Sequence, residues 1–430
     1  MKKILRPYLN FLAGLLIIVS ACTAPKSDQT TEEETAKVID ELAVARIDST
    51  LKSFIDAGQV AGISALVYEK GNEVYHNALG YSDREAETVM SRNTIVLIYS
   101  MTKPITGTAL MTLYQDGAFQ LDDPISKYLP EFADMEVYTG VDSSGNILVE
   151  PIDRPITVRD LTRHTSGFVN RADIPGLGQK FGELDIYNRE GSLTQMAEKL
   201  SSIPLWFQPG TQWEYGTSVD MQALLVERIS GKPFQQYLRE NVLDPLGMTE
   251  TRYFVPEEDR DRLAANYRLE NDTLNRIPDE QALSFNTKKW PLKLGGWGLT
   301  STLDDYMKFA RMLENEGQLD NATILKPETM KLMATDHLTD SVTIRSWLPG
   351  KGSVGFGIDF AVRLSPPANP EENNGAVGEF FWDGAASTLF WVDPKNELTA
   401  VLFVQLFPYD KIGLHKKFRD AVYGPYPFPN

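Results

Sequence analysis

Ser100 and Lys103 stand three residues apart in Ile98-Tyr99-Ser100-Met101-Thr102-Lys103-Pro104. On a helix that spacing brings a hydroxyl and an amine to one face, about 5 to 6 Å apart at Cβ and closer at their tips. Such a pair can perform nucleophilic catalysis, because a serine hydroxyl attacks poorly until a neighbouring group takes its proton. A serine at a helix N-terminus also gains from the positive end of the helix dipole, which favours a developing alkoxide. About one S-x-x-K is expected by chance in a chain of this composition, so context must decide. Ser49-Thr50-Leu51-Lys52 is a second copy, inside an amphipathic segment, where it reads as part of a solvated face. His164, four residues after Asp160, invites a Ser-His-Asp reading, but no G-x-S-x-G elbow accompanies it. Gly350-Lys351-Gly352-Ser353-Val354-Gly355 fits G-x-G-x-x-G. It precedes a strand signal and opens no helix, so a dinucleotide site is not expected. The four histidines are scattered, and one cysteine makes neither an internal disulfide nor a thiolate zinc site. No cofactor and no metal is expected.

These side chains need a scaffold. Apolar residues Leu42, Val44, Ile47, Leu51, Phe54 and Ile55 predict a helix over about 38–55, stopped at Gly58. Ile63–Tyr68, a Gly71-Asn72 turn and Glu73–Leu79 predict an antiparallel hairpin. Ile105, Ala109, Leu110, Leu113 and Tyr114 carry a helix from the S-x-x-K to Gly117. Residues from about 120 to 290 hold further helical stretches such as Val219–Ile229 amid Pro/Gly-rich loops, and another helix runs to about Leu313. Strand signals return at Phe356–Ala361, Phe380–Trp382, Leu389–Val392 and Leu398–Gln405, and Leu414–Val422 predicts a closing helix. Strands at both ends with helices between them predict an α+β fold. One antiparallel sheet is assembled from the N- and C-terminal segments with flanking helices, and a mainly helical lobe over about 100–290 is inserted between its halves.

The S-x-x-K segment is followed, in order, by Leu121-Asp122-Asp123-Pro124-Ile125-Ser126-Lys127-Tyr128-Leu129-Pro130, Ile156 through His164-Thr165-Ser166-Gly167, and Gln208-Pro209-Gly210-Thr211-Gln212-Trp213-Glu214-Tyr215. Gly295-Gly296-Trp297-Gly298-Leu299-Thr300 and Phe381-Trp382-Asp383-Gly384 through Asp393-Pro394 come later. From about residue 40 to 407 the chain resembles the serine β-lactamase/penicillin-binding-protein superfamily. Within it, the resemblance is to the class C β-lactamase-related serine hydrolases and the family VIII carboxylesterases. It implies a β-lactamase/transpeptidase-like fold, Ser100 as acylated nucleophile, Lys103 as the amine that helps deprotonate it, and Tyr215 as general base. It also implies an oxyanion hole formed by the backbone N–H groups of Ser100 and Ala385, and a structural role for the His164 segment. A tyrosine can act as base only with a cation nearby, and Lys103 is the candidate.

Two departures from that family bear on substrate. Tyr-x-Asn becomes Tyr215-Gly216-Thr217, and Lys-Thr-Gly becomes Trp382-Asp383-Gly384. The family's lysine supplies charge toward a substrate carboxylate. A charge-assisted contact is worth about 1.5 to 3 kcal/mol, so its loss weakens carboxylate recognition at least about tenfold. An indole wall suits a neutral, partly apolar ester. Trp382, Asp383, Gly384 and Thr217 are therefore the expected pocket residues, with Trp297 a further candidate. Three readings follow: an esterase on short acyl or aryl esters; a β-lactamase or D-alanyl-D-alanine peptidase with relaxed motifs; and a non-catalytic envelope binder. The presence of Ser100, Lys103 and Tyr215 together argues against the last.

The N-terminus opens with basic Lys2, Lys3 and Arg6, followed by an apolar run from Phe11 to Val19, too short to span a bilayer. Val19-Ser20-Ala21-Cys22 resembles a bacterial lipobox, in which the cysteine is lipidated and becomes the first mature residue. The expected organisation is a signal peptide over 1–21, an acidic tether over 22–37 and a hydrolase domain over 38–430. The protein is thus expected to be an exported lipoprotein of the cell envelope, held to the membrane through Cys22 and acting on a small-molecule ester or amide. Without Lys2, Lys3 and Arg6 the net charge falls from −17 to −20. That excess repels phosphate backbones, so no nucleic acid partner is expected.

Overall fold

Asp40 opens the first helix, α1 (Glu41–Asp56), by accepting a hydrogen bond from the Ala43 N–H at 2.7 Å. The computed structural model describes residues 37–428 apart from Val169, so the leader, Cys22 and nearly all of the tether lie outside the described residues. Ala43, Ile47, Leu51 and Phe54 form the buried stripe of α1, while Ser49 lies on the solvated face with Lys52, whose ammonium is bonded to Asp56. The second S-x-x-K is therefore surface.

The hairpin is β1 (Gly62–Glu69) and β2 (Asn72–Asp83), the latter running four residues past its expected end to pair with β3 (Thr88–Val89). Helix α2 (Thr102–Gln115) follows and packs on α3 (Ser218–Ser230). Two hairpins not expected from the sequence, Glu136–Val141 with Ile147–Pro151 and Tyr267–Glu270 with Thr273–Arg276, interrupt this otherwise helical stretch. Helix α4 (Leu303–Glu314) leads back to the sheet, supplied by β4 (Val354–Phe356), β5 (Ala361–Arg363), β6 (Phe380–Asp383), β7 (Leu389–Asp393) and β8 (Leu398–Val404), before α5 (Leu414–Tyr423).

The eight strands lie in the order β4-β5-β6-β7-β8-β1-β2-β3, every neighbour antiparallel. The two ends of the chain meet at β1 and β8, with Ile63 opposite Val404 and Glu69 opposite Leu398. Successive side chains of a strand point to opposite faces. Phe390 meets Tyr306 of α4 at 5.1 Å between ring centroids, and Trp391 meets Phe418 of α5 at 5.4 Å, so helices cover both faces. This explains why every residue of β8 is buried and why its sequence is nearly continuous in apolar residues. Helix α1 lies beside α5, with Arg46 Nε donating to Ala421 O at 3.2 Å.

One carboxylate ties α5 to the outer strands. Glu379 Oε1 accepts from Arg363 Nε and from Arg419 Nη1, each at 2.8 Å, and all three side chains are buried. Removing the charge strands two buried guanidiniums, an error that costs about 3 to 5 kcal/mol. Glu379→Gln is expected to lower unfolding free energy by that amount in a urea titration.

Candidate active site

Ser100 occupies a single 3-10 turn, Tyr99–Met101, that runs directly into α2. Just before it Val96–Leu97 pairs with Thr300–Ser301, and Ile98 N donates to Leu299 O at 3.1 Å, which pins the Ser100 segment to the 295–301 loop. Tyr99 takes a φ of +46°, a costly conformation for an aromatic residue, at the point where the strand turns into the helix.

Lys103 lies one helical turn on and is only 3% exposed. Its ammonium donates to Gly296 O at 2.6 Å and to Ser100 Oγ at 3.4 Å, and it lies 4.4 Å from the centroid of the Tyr215 ring. The loop can come this close because Gly295 has no side chain: a Cβ there would stand 2.3 Å from Val219 O of α3. The N–H of Gly296 donates to Asp220 Oδ1 at 2.8 Å, so Asp220 holds the glycine whose carbonyl holds the lysine.

Burial disfavours the charged form of the groups around this cation. Burial raises the Asp220 carboxyl to about 6, against the opposing pull of the Gly296 N–H and the Lys103 charge. Asp359 is likewise pushed well above the carboxylate range by burial, although Gln222 donates to it at 2.9 Å. Burial, and next the Lys103 charge, hold His164 well below the usual histidine value, and neither of its ring nitrogens has a hydrogen-bond partner among the described residues. Asp160 is engaged by Arg154 and Arg163 rather than by His164. His164 is a neutral packing group against Tyr215, 4.7 Å between ring centroids.

Tyr215 reaches the site from the stretch between the Pro209-Gly210 turn and α3, fixed by the Glu214 N–H on His164 O at 2.9 Å. Trp382 Nε1 donates to its hydroxyl at 3.3 Å. Indole nitrogen is only a donor, so the phenolic oxygen accepts there and its own proton is left for another acceptor.

Ser100, Tyr215, Trp382, Asp383 and Ala385 line one cavity of about 500 Å³. Gly384 brings the end of β6 against the backbone just before Ser100: a Cβ on it would stand 2.2 Å from Thr388 Oγ1 and 2.6 Å from Ile98 O, so no side chain is tolerated. The turn after it exposes Ala385 beside Ser100. Three expected pocket residues are placed otherwise. Thr217 is fully buried at the start of α3 and is absent from the cavity wall. Gly384 acts by close packing, and Trp297 lies on a different cavity, of about 220 Å³, with Phe285 and Phe407.

Sequence reasoning missed Lys351. Trp382-Asp383 was read as a cation replaced by an indole and an acid, but Lys351 brings an ammonium to the same cavity from a turn before β4. It is bonded to Asp383 Oδ2 and donates to the Tyr409 hydroxyl at 2.9 Å. It sat in the glycine-rich motif set aside as a non-nucleotide loop, and nothing in the spacing links it to residue 383, thirty-two positions away. Asp220 was missed too, although its place five residues after Tyr215, within the first turn of a helix, was available as a signal.

A Beta-lactamase family model matches residues 47–423, and the chain belongs to that family. Protein Rv1367c of Mycobacterium tuberculosis is 34% identical over 366 residues, spanning 84% of this chain and 89% of its own. Lovastatin esterase of Penicillium rubens is 27% identical over 409 residues, spanning 88% of this chain and 98% of its own. Among solved structures, EstCE1, a hydrolase with promiscuous acyltransferase activity, is similar with a TM-score of 0.73 at 25% identity, covering 89% of this chain and 98% of its own. The chain has the β-lactamase-like fold and falls with the serine hydrolases and acyl-transferring enzymes of this family.

Asp220 gives the folded protein a measurable proton linkage. Its carboxyl rises from the ordinary 3.8 to about 6 on folding, so the native state holds the proton more tightly than the unfolded chain. The stability it contributes is complete below pH ~4 and is lost as pH climbs through ~6, on the order of 3 kcal/mol in all. Asp220→Asn keeps an acceptor for Gly296, and is expected to flatten that decline when unfolding free energy is measured from pH 4 to 8.

Proposed function

We propose that the protein is a serine esterase that cleaves short acyl or aryl esters through an acyl-enzyme on Ser100. The observation that carries this reading is the buried Lys103 ammonium, 3.4 Å from Ser100 Oγ and 4.4 Å from the Tyr215 ring, at the wall of the cavity that Ser100, Tyr215 and Ala385 share. Tyr215 first gives its own proton to solvent, leaving a phenolate with Lys103 as its counter-charge; Ser100 Oγ then attacks the ester carbonyl while that phenolate takes the hydroxyl proton. The oxyanion is received by the backbone N–H groups of Ser100 and Ala385. Collapse breaks the bond to the alcohol, which leaves with the proton held by Tyr215. Water then attacks the acyl-enzyme by the same route in reverse, releasing the acid. The Trp382 indole, where β-lactamases carry a lysine, supports a preference for neutral esters over carboxylate-bearing β-lactams. An envelope location through Cys22 belongs to this proposal and rests on the leader sequence alone.

A second reading shares every step to the acyl-enzyme and replaces water by an alcohol acceptor. The name of EstCE1 favours it. Hydrolysis of a p-nitrophenyl short-chain ester with and without added alcohol separates the two, since transfer yields a new ester in place of free acid.

Incubation with a fluorophosphonate followed by peptide mass spectrometry is expected to find the adduct on Ser100 alone. Ser100→Ala should abolish both labelling and ester hydrolysis, and Tyr215→Phe should lower kcat about 10²- to 10⁴-fold, the usual worth of a general base. An adduct elsewhere, or none on folded protein, would overturn the assignment. A carboxylate-bearing β-lactam should be turned over at least about tenfold less efficiently than the neutral ester.

A further inference from the structure

The wall of the Ser100 cavity carries a cation and an anion that neutralise each other. Lys351 is 6% exposed and Asp383 7%, and both line the cavity. The Lys351 ammonium is bonded to Asp383 Oδ2, while the Tyr409 hydroxyl donates to the same oxygen at 2.7 Å. Around the ammonium stand three rings, with centroids 5.0 Å (Trp382), 5.1 Å (Tyr409) and 5.3 Å (Trp347) away. Three aromatic rings about a cation with a carboxylate beside it is a cage of the kind that binds ammonium ligands. Here the protein's own side chain fills it.

We propose that Lys351 and Asp383 form a self-neutralising pair that makes this part of the cavity select uncharged substrate groups. Lys351 plugs a cation cage and Asp383 silences Lys351 as a receptor for carboxylate. The physical argument is one of competition. An incoming carboxylate that approaches Lys351 meets the fixed negative charge of Asp383, and must displace two hydrogen-bonding partners already in place. An incoming ammonium finds the cage occupied by a like charge. A neutral group meets neither penalty. The pair touches the catalytic groups through Trp382, which carries Lys351 against its ring and donates its N–H to Tyr215, and Asp383 precedes Gly384-Ala385 in the chain. The inference rests on the reading of this cavity as the substrate site.

The test uses three ligands that share a phenyl ring and differ in the charge of the group it carries: benzyl alcohol, benzoate and benzyltrimethylammonium. Their dissociation constants are measured by tryptophan fluorescence and by competition with hydrolysis of a neutral p-nitrophenyl ester. Wild type should bind the alcohol more tightly than either ion. Asp383→Asn, which frees the lysine, should tighten benzoate about tenfold relative to the alcohol. Lys351→Ala, which empties the cage beside Asp383, should tighten benzyltrimethylammonium about tenfold instead. The double variant should return to the wild-type order. Wild-type protein that prefers either ion, or a folded single variant whose order matches wild type, would overturn the proposal. The fluorescence titration needs no turnover. If no ester is hydrolysed, it is the esterase reading that fails, and the charge pair is still decided by binding.

Discussion

A lysine ammonium buried beneath the serine is the constraint from which the rest of the site follows. A charge removed from water has to be met by oriented partners or it is not tolerated. Lys103 is met by a carbonyl from the 295–301 loop, by the serine hydroxyl, by the face of Tyr215 and by a carboxylate on α3. Those partners come from three separated parts of the chain, around residues 100, 215–220 and 296, so satisfying one cation brings Ser100, Tyr215 and the loop that supports them together. The neutral state of His164 follows from its burial first and from the same charge second. An imidazolium beside the ammonium would be a second cation in that buried space.

The sheet contributes the other half of the site. β6 pairs with β5 only through Phe380 and Phe381, so the end that bears Trp382 and Asp383 is open toward the cavity. Gly384 lets that end settle on the backbone of Ile98, and the turn after it presents Ala385 to Ser100. Rigidity here is inherited from burial: β7 and β8 are covered on both faces, and the Glu379 network fastens the outer strands to α5.

Much of this could be read from the residues because the signals are local. The stripe in α1 and the apolar runs of β1 and of β6 to β8, bounded by turn residues, reflect burial that pattern-reading detects. Ser100 and Lys103 belong to one turn of helix, and their contact follows from spacing alone. Of the two extra hairpins, the second does alternate, with Tyr267 and Leu269 buried, but over strands of only four residues; the first escaped for the opposite reason. Ile147–Pro151 has no buried residue, and Glu136–Val141 is interrupted by an irregular register at Gly140, so neither carries an alternating stripe. Lys351 escaped because its partner is set by tertiary packing across the sheet edge. Thr217 was misplaced because a residue two positions after Tyr215 can point into the core as readily as into the cavity, and here α3 begins at the next residue.

The pairing of β1 with β8 also sets the order in which the molecule can come into being on a ribosome. Residue 63 must wait for residue 404 before its strand has a second neighbour. The serine, the lysine and the tyrosine are all synthesised well before the strand that brings Ala385 to them. Long-range pairing of this kind is slow and raises contact order. Translation therefore yields no partial chain in which Ser100, Tyr215 and Ala385 share a cavity: that wall closes last, and it arrives only with the C-terminal strands.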